Sequence, residues 1–325
     1  MSKPAALLAL ILGIGLRAAW AQDCPAPPPP PPAIVSTNIY GSGGLGAAPE
    51  PRAGAERARL TADLNRFASL LADAAAQAQP AAADCALAAL LLWAEADALG
   101  GPLANEAARK ELIWNSAGLP LAYWQLRQLR PGVELDGQVR IEAWLDGLRR
   151  LMREGQAATR VADNVHAWAA LGLAAGAQLA SGDEAAARWA EAESWRRRVL
   201  AGVDAEGWLG PELRRGRRAL AYHQFALLPL LAQEALARRA GQPVDPGAQA
   251  ALRRLVERTE AAERDPAVLT RLVGSDQDPG NPRSARSWRW LAQCLKLLPA
   301  DLPWQPVPRE RWLGGSLAGL CRPGG

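Results

Sequence analysis

The chain has few of the residues that usually hold metals or carry redox chemistry. Its 325 residues include two histidines, three tyrosines and four cysteines, against thirteen tryptophans. The cysteines form no Cys-x-x-Cys pair, so neither a zinc site nor a redox motif is expected. We therefore expect no metal and no cofactor.

Long hydrophobic runs are also scarce, and the one near the N-terminus is short. It spans residues 5–16, after Lys3, and a small-residue cleavage site follows at residues 19–21. This pattern predicts a signal peptide over residues 1–21 and a mature chain without a membrane span, in the periplasm or secreted. Removing Lys3 and Arg17 lowers the formal net charge from +4 to +2. Such a balance gives no long-range attraction for nucleic acid.

An exported location favours disulfides among the four cysteines. Of the three possible pairings, Cys24 with Cys85 and Cys294 with Cys321 is the most natural, because each bond would tie an irregular end to the helical body.

Runs of β-branched residues are almost absent, which argues against a β-rich fold. Residues 22–54 are predicted to form a proline-rich strap and a glycine-rich mobile loop. Residues 55–325 are predicted to form one all-α domain and a monomer. Helices are expected near residues 56–78, 83–99, 104–129, 135–155, 160–181, 183–203, 216–240, 246–263 and 284–298. No fixed repeat period is visible, which favours a closed α/α barrel of helical hairpins over an open solenoid.

Both histidines lie in polar insertions, at residues 163–168 and 212–225. On a helix, Arg215, Arg218 and Tyr222 would share one face. Such a stripe suits β-elimination at a uronic acid, because a guanidinium neutralises the carboxylate while a phenol removes the C5 proton and protonates O4. His166 is a second candidate base or a positioning group. The plainer alternatives are a solvated or carboxylate-paired arginine face and a structural histidine.

The second insertion resembles the signature segment of the periplasmic alginate lyases. The resemblance rests on Pro211-Glu212-Leu213-x-Arg215 followed by the run from Arg218 to Leu227. It implies an α/α toroid, mannuronate-specific β-elimination, Arg215 on the substrate carboxylate and Tyr222 as the catalytic tyrosine. The segment Asn164-Val165-His166-Ala167-Trp168 is similar to the family's Asn-Asn-His motif, which implies that His166 and Asn164 are catalytic. Weaker similarity runs through residues 24–26, 84–87, 122–123, 274–278 and 313–315.

The sequence departs from the family at three places. The family's lid-loop lysine is absent from residues 37–42, where Asn38 stands near its position. Val165 replaces the asparagine next to the histidine, and Trp312 replaces the arginine before Leu-Gly-Gly, although Arg311 is adjacent. We predict that Tyr40 lies in a lid over the substrate. The predicted substrate-binding residues are Asn38, Tyr40, Trp114, Tyr123, Trp168, Arg218, His223 and Arg311.

The leading hypothesis is a polysaccharide lyase acting on a mannuronate-containing or other uronate polymer. The alternative is a catalytically weak relative that binds an acidic exopolysaccharide or assists its export. A glycoside hydrolase on the same fold would need two opposed carboxylates. Asp163, Glu212 and Asp276 are candidates, but the sequence shows no pairing.

Overall fold

The computed structural model describes residues 24–40, 47–131, 137–157, 159–299 and 307–320. These residues form thirteen α-helices and one short β-hairpin. The first helices are α1 (Pro51–Leu60), α2 (Ala62–Gln77), α3 (Pro80–Glu95), α4 (Glu106–Ser116), α5 (Leu119–Gln128) and α6 (Gln138–Ala157). Then come α7 (Asn164–Ala177), α8 (Gly182–Leu200), α9 (Gly210–Leu213), α10 (Ala219–Arg239), α11 (Pro246–Arg264), α12 (Ala267–Val273) and α13 (Pro282–Cys294). The predicted signal peptide lies outside the described residues.

Two of the expected long helices are each divided into two. The segment 56–78 forms α1 and α2, and α1 begins at Pro51, before the predicted domain boundary at residue 55. The segment 104–129 divides into α4 and α5 because Pro120 lies in the first turn of α5, where its missing N–H costs nothing. Helix α12 was not predicted. It has only seven residues and ends at Gly274, which adopts φ +70°.

Two helices are buried along most of their length. Every residue of α7 is buried, and so are most residues of α10. A helix that is apolar on all sides belongs in a core. Helix α7 packs against α4, α6, α8 and α10, and α10 packs in turn against α11 and α13. Among the described residues, no helix has the length and apolarity needed to cross a bilayer.

The proline-rich strap is fixed onto the helical body. The predicted Cys24–Cys85 disulfide is confirmed. Trp93 Nε1 donates a hydrogen bond to Pro28 O at 3.0 Å, and Leu99 N donates to Pro31 O at 2.9 Å. The strap therefore runs along the end of α3 in a defined path towards Tyr40. The second predicted bond involves Cys321, which lies outside the described residues.

The β-hairpin places its loop beside α5. Strand β1 (Arg309–Glu310) pairs antiparallel with β2 (Gly315–Ser316), with Arg309 opposite Ser316. Gly314 adopts φ +75°, and a β carbon there would lie 2.5 Å from the backbone nitrogen of Ala122. The Leu-Gly-Gly motif thus has a steric reason, because it turns the chain tightly against α5 next to Trp312.

Candidate active site

A cavity of about 520 Å³ opens between the strap and the helices that pack against α7. Its wall is formed by residues 37–40, which follow the proline-rich segment of the strap, by Arg57 from α1, and by Lys110 and Trp114 from α4. The cavity is also lined by Arg215, by Tyr222 from α10 and by Trp312 from the β-hairpin loop. Five residues proposed from the sequence therefore line one cavity: Asn38, Tyr40, Trp114, Arg215 and Tyr222.

Arg215 and Tyr222 meet through a turn rather than along one helix, which corrects the expected helical stripe. Arg215 follows α9, and Gly216 then adopts φ +55° in a short 3₁₀ turn before α10 begins at Ala219. The turn still brings Arg215 Cζ to 4.4 Å from the centre of the Tyr222 ring. Arg218 Cζ lies 5.5 Å from the same ring. Tyr222 therefore lies beside two guanidinium groups, as the sequence predicted, although the backbone differs.

The Arg215 guanidinium is held from behind by two carboxylates. Its Nε lies 3.2 Å from Glu212 Oε2, and its Nη2 lies 3.7 Å from Asp163 Oδ2. Burial raises the pKa of Glu212. For Asp163 burial acts in the same direction, but the surrounding groups, among them Arg215 and the Val165 N–H, lower the pKa of this carboxyl group. Two of the three candidate hydrolase acids thus pair with one arginine instead of facing each other across a gap.

The third candidate acid, Asp276, is exposed and does not line the cavity. The carboxylate arrangement that a glycoside hydrolase needs is therefore not formed by these three residues.

Tyr40 closes over Tyr222. The two hydroxyl oxygens are 2.8 Å apart, and Arg218 Cζ lies 3.7 Å from the centre of the Tyr40 ring. Asn38 Oδ1 accepts a hydrogen bond from Tyr40 N at 3.1 Å, which sets the local turn. Burial, followed by the contact with Tyr40, raises the pKa of Tyr222 despite the opposing charges of Arg215 and Arg218. The charges of Arg215 and Arg218 favour the phenolate, but burial and Tyr40 outweigh them in this closed arrangement, so Tyr222 keeps its proton.

Asn164 and His166 are fully buried behind the cavity wall. Asn164 donates from its backbone N and from Nδ2 to Glu212 Oε1, at 2.7 and 2.9 Å. Its Oδ1 accepts from Trp114 Nε1 at 3.2 Å. His166 Nδ1 lies 2.6 Å from Gln156 Nε2. Asn164 thus belongs to the network that supports Arg215, whereas His166 bonds to Gln156, and neither lines the cavity itself.

Three predicted sugar-binding residues are buried in the core, so these predictions need correction. The Tyr123 hydroxyl donates to Glu142 Oε1 at 3.1 Å, and burial raises the pKa of Tyr123 to about 12. Trp168 is fully buried, and the centre of its ring lies 5.1 Å from the centre of the Phe225 ring. Both ring nitrogens of His223 bond to backbone groups, and burial lowers the pKa of His223 to about 4.

The two remaining predicted arginines lie at the edges of the site. Arg218 contacts the rings of Tyr40 and Tyr222. Arg311 lines a neighbouring cavity of about 710 Å³ along α2, not the one that holds Tyr222, so the prediction that it joins this site is corrected. Its guanidinium carbon lies 5.1 Å from the centre of the Trp312 ring.

Two cations on the cavity wall were not predicted. Arg57 forms an ion pair with Glu111, and Lys110 Nζ lies 2.6 Å from Glu106 Oε1. In the sequence these residues look like ordinary charges on helix surfaces, so only the packing of α1 against α4 and the strap reveals them. Within the described ranges, no cluster of histidine, cysteine and acidic residues is suited to hold a metal ion.

Residues 49–268 match the family described as alginate lyase. A polysaccharide lyase from Stenotrophomonas maltophilia (strain K279a) is 31% identical, over 86% of this chain and 84% of its own length. An alginate lyase from Pseudomonas paraeruginosa (strain PA7) is 31% identical, over 94% of this chain and 87% of its own length. An alginate lyase from Pseudomonas syringae pv. syringae (strain B728a) is 30% identical, over 67% of this chain and 58% of its own length.

Solved structures with the same arrangement of helices include alginate lyase A1-III from Sphingomonas species A1. It superposes with a TM-score of 0.70 at 20% identity and covers 91% of this chain and 86% of its own. A Tyr-to-Phe variant of A1-III complexed with a tetrasaccharide gives a TM-score of 0.72 and covers 93% of this chain and 87% of its own. The likeness confirms the predicted α/α toroid.

Proposed function

We propose a reaction for this site from the premise that the chain belongs to the alginate lyase family. Its members are polysaccharide lyases, and this chain is one of them; the alternative of a protein that only binds or helps to export a polymer is not favoured. The substrate we propose is an alginate-like polymer that contains mannuronate or another uronate. The proposed product carries a 4,5-unsaturated sugar at its new end.

The observation that carries the proposal is the contact between the Arg215 guanidinium and the Tyr222 ring inside the cavity. A C5 proton beside a carboxylate is only weakly acidic, because its removal adds negative charge to a group that is already negative. Arg215 neutralises that carboxylate and so stabilises the enolate-like transition state. Glu212 and Asp163 hold the guanidinium in place before substrate arrives, which removes the cost of ordering it during the reaction.

Tyr222 acts on the proton at C5 and on the leaving oxygen O4. In the closed arrangement its pKa is raised, first by burial and then by Tyr40. We propose that substrate displaces the Tyr40 hydroxyl, so that the phenol lies between the sugar and two guanidinium groups. Tyr222 then accepts the C5 proton as base while its own phenolic proton passes to O4 as acid, so the C5–H and C4–O4 bonds break, the C4–C5 double bond forms and the phenol stays neutral. His166 is the second candidate base or a positioning group.

The strap and the unpredicted cations take the remaining binding roles. We propose that Tyr40 and Asn38 form a lid that closes over the bound sugar and excludes water. The family's lid lysine is absent, and Arg57 and Lys110 offer positive charge on the same wall for neighbouring uronate carboxylates. Trp114 and Trp312 supply flat apolar surface for sugar rings.

We also propose that residues 1–21 form a cleaved signal peptide and that the mature protein acts in the periplasm or outside the cell, as a monomer. Residues 22–54 would then be the strap and lid, followed by the toroid. The Cys24–Cys85 disulfide supports an oxidising compartment.

A polymer panel tests the proposed substrate. The purified protein is incubated with polymannuronate, polyguluronate, polyglucuronate and hyaluronan, and the ultraviolet absorbance of the new double bond is followed. We expect the absorbance to rise on polymannuronate. Reducing ends that appear without that absorbance would show hydrolysis and contradict β-elimination. Binding without cleavage of any of the four polymers would contradict the proposed substrate class.

A further inference from the structure

We propose that Gln156, held by Arg109, is a positioning residue that keeps the proton of the neutral His166 ring on Nε2. In the reaction proposed above, a substrate group that reaches this buried nitrogen then meets a hydrogen-bond donor, Nε2–H, and not a base. This decides between the two roles left open for His166, in favour of the positioning group. The catalytic part rests on the proposed function, whereas the position of the proton does not.

The three residues come from three helices and form a chain of contacts that runs from the partly buried Arg109 into the core. Gln156 Oε1 accepts a hydrogen bond from Arg109 Nη1, and Gln156 Nε2 lies 2.6 Å from His166 Nδ1. Gln156 and His166 are both fully buried. A β carbon on the neighbouring Gly155 would lie 3.2 Å from Arg109 Cγ, so this glycine gives the arginine stem room to cross α6.

The direction of the Gln156 amide follows from Arg109. A guanidinium has five N–H donors and no acceptor, so the amide can face it only with its oxygen. The reverse orientation would place the amide NH₂ group against the guanidinium and leave donors facing donors. With Oε1 on Arg109, the NH₂ group must point at His166 Nδ1. That nitrogen therefore accepts, and the single proton of the neutral ring lies on Nε2.

The competing partner for Nδ1 is Asp163, which would favour the opposite tautomer. Its Oδ1 lies 3.9 Å from Nδ1, which is longer than a hydrogen bond. The same oxygen already accepts from Val165 N at 3.0 Å, and the other oxygen faces Arg215. His166 Nε2 is buried and finds no hydrogen-bond partner among the described residues. No described group thus competes for Nε2, which leaves this nitrogen to carry the proton.

The other histidine of the chain is an internal reference with the opposite arrangement. Leu209 N donates to His223 Nε2 at 3.1 Å, so this nitrogen must accept. His223 Nδ1 then carries the proton and donates to Ala219 O at 2.8 Å. The protein has only these two histidines, so the proposal predicts one ring of each tautomer.

Nitrogen NMR tests the proposal without any substrate. The full mature protein is labelled with ¹⁵N-histidine and studied at about pH 8.5, where an ordinary imidazole is neutral. Long-range ¹H–¹⁵N correlations distinguish the two tautomers, and a His166→Gln variant assigns the signals. We expect the Nε2–H pattern for His166 and the Nδ1–H pattern for His223. An Nδ1–H pattern for His166 in the wild-type protein would overturn the proposal.

Gln156→Glu tests whether Gln156 sets the proton. Its carboxylate still pairs with Arg109 but only accepts from His166, so we expect the proton to move to Nδ1 while His223 is unchanged. Gln249→Glu adds the same charge on the surface of α11 and is expected to leave both rings unchanged. If Gln156→Glu does not fold, Arg109→Met releases the amide and should give a mixture of tautomers. An Nε2–H pattern that persists in these variants would remove Gln156 from the role.

Kinetics on polymannuronate test the catalytic consequence. Loss of one oriented donor should lower the kcat of Gln156→Glu by about 100-fold, with a much smaller change in KM. Gln249→Glu should keep the wild-type kcat. A shifted proton with unchanged kcat would contradict the donor role of His166. If the wild-type protein shows both tautomers as expected but cleaves no polyuronate, the proposed function fails and the inference on the tautomer stands.

Discussion

Replacing Arg215 should distinguish two roles of this residue, which are its ion pairs with Glu212 and Asp163 and its contribution to catalysis. In Arg215→Met, Glu212 stays fully buried and loses its cation. Breaking a buried ion pair from one side costs about 3–5 kcal/mol of unfolding free energy. Because Glu212 keeps two N–H donors from Asn164, we expect the lower end, about 3 kcal/mol. Adding Glu212→Gln removes the unpaired charge and should recover most of that loss.

The pH dependence of the single variant has a defined sign. Burial already raises the folded-state pKa of Glu212, and removal of Arg215 raises it further. An acid with a raised folded pKa favours the native state below its unfolded value, and this advantage is lost as the pH rises towards the folded pKa. The stability deficit of Arg215→Met should therefore be smaller near pH 4.5 than at pH 7. The double variant should show only the smaller part of this trend that comes from Asp163, whose pKa Arg215 also lowers.

Denaturant unfolding at the two pH values measures the stability, and polymannuronate cleavage measures the chemistry. We expect both variants to lose about 100-fold or more in kcat/KM, because neither offers a cation to the substrate carboxylate. Recovery of stability without recovery of activity is the predicted result. Full activity in the stable double variant would refute the role of Arg215. An equal stability deficit in the single and double variants would refute the account of Glu212.

Three further predictions follow from the strap and the hairpin. Replacing Cys24 and Cys85 by serine opens a disulfide between residues 61 positions apart, and chain entropy predicts a loss of about 4 kcal/mol in denaturant unfolding. Tyr40→Phe removes the hydroxyl contact that helps to raise the pKa of Tyr222 in the free enzyme, so the alkaline limb of the kcat/KM–pH profile should move to lower pH; an unmoved limb would contradict the contact. Gly314→Ala places a β carbon against the backbone of α5 at φ +75°, and thermal unfolding should show a loss of at least about 1–3 kcal/mol, whereas a neutral effect would contradict the tight turn.

The sequence was a good guide to what depends on periodicity and on rare residues. Alanine and leucine spacing predicts the helical fold, and the concentration of uncommon polar residues near positions 166 and 222 leads to the right segments. The point at which one predicted helix splits into two is harder to predict from periodicity. The apolar pattern continues from α4 into α5 across the bend before Pro120.

The members of the site could be predicted only in part, because burial depends on packing that the sequence does not show. Tyr123 and His223 are as rare as Tyr222, and their neighbours in sequence look equally polar, yet both are enclosed in the core. Conversely, Arg57 and Lys110 resemble many other surface charges. They become part of the site only because α1 and α4 meet under the strap.

The central claim is that Tyr222 carries out the proton transfers of β-elimination, and one substitution tests it most directly. Tyr222→Phe removes a single oxygen atom from the cavity wall. Tyr123→Phe is the matched control, because it removes the same atom from a buried ring outside the cavity. We expect Tyr222→Phe to abolish the formation of unsaturated product from polymannuronate with its fold intact, and Tyr123→Phe to retain it. Retained product formation in Tyr222→Phe would contradict the account.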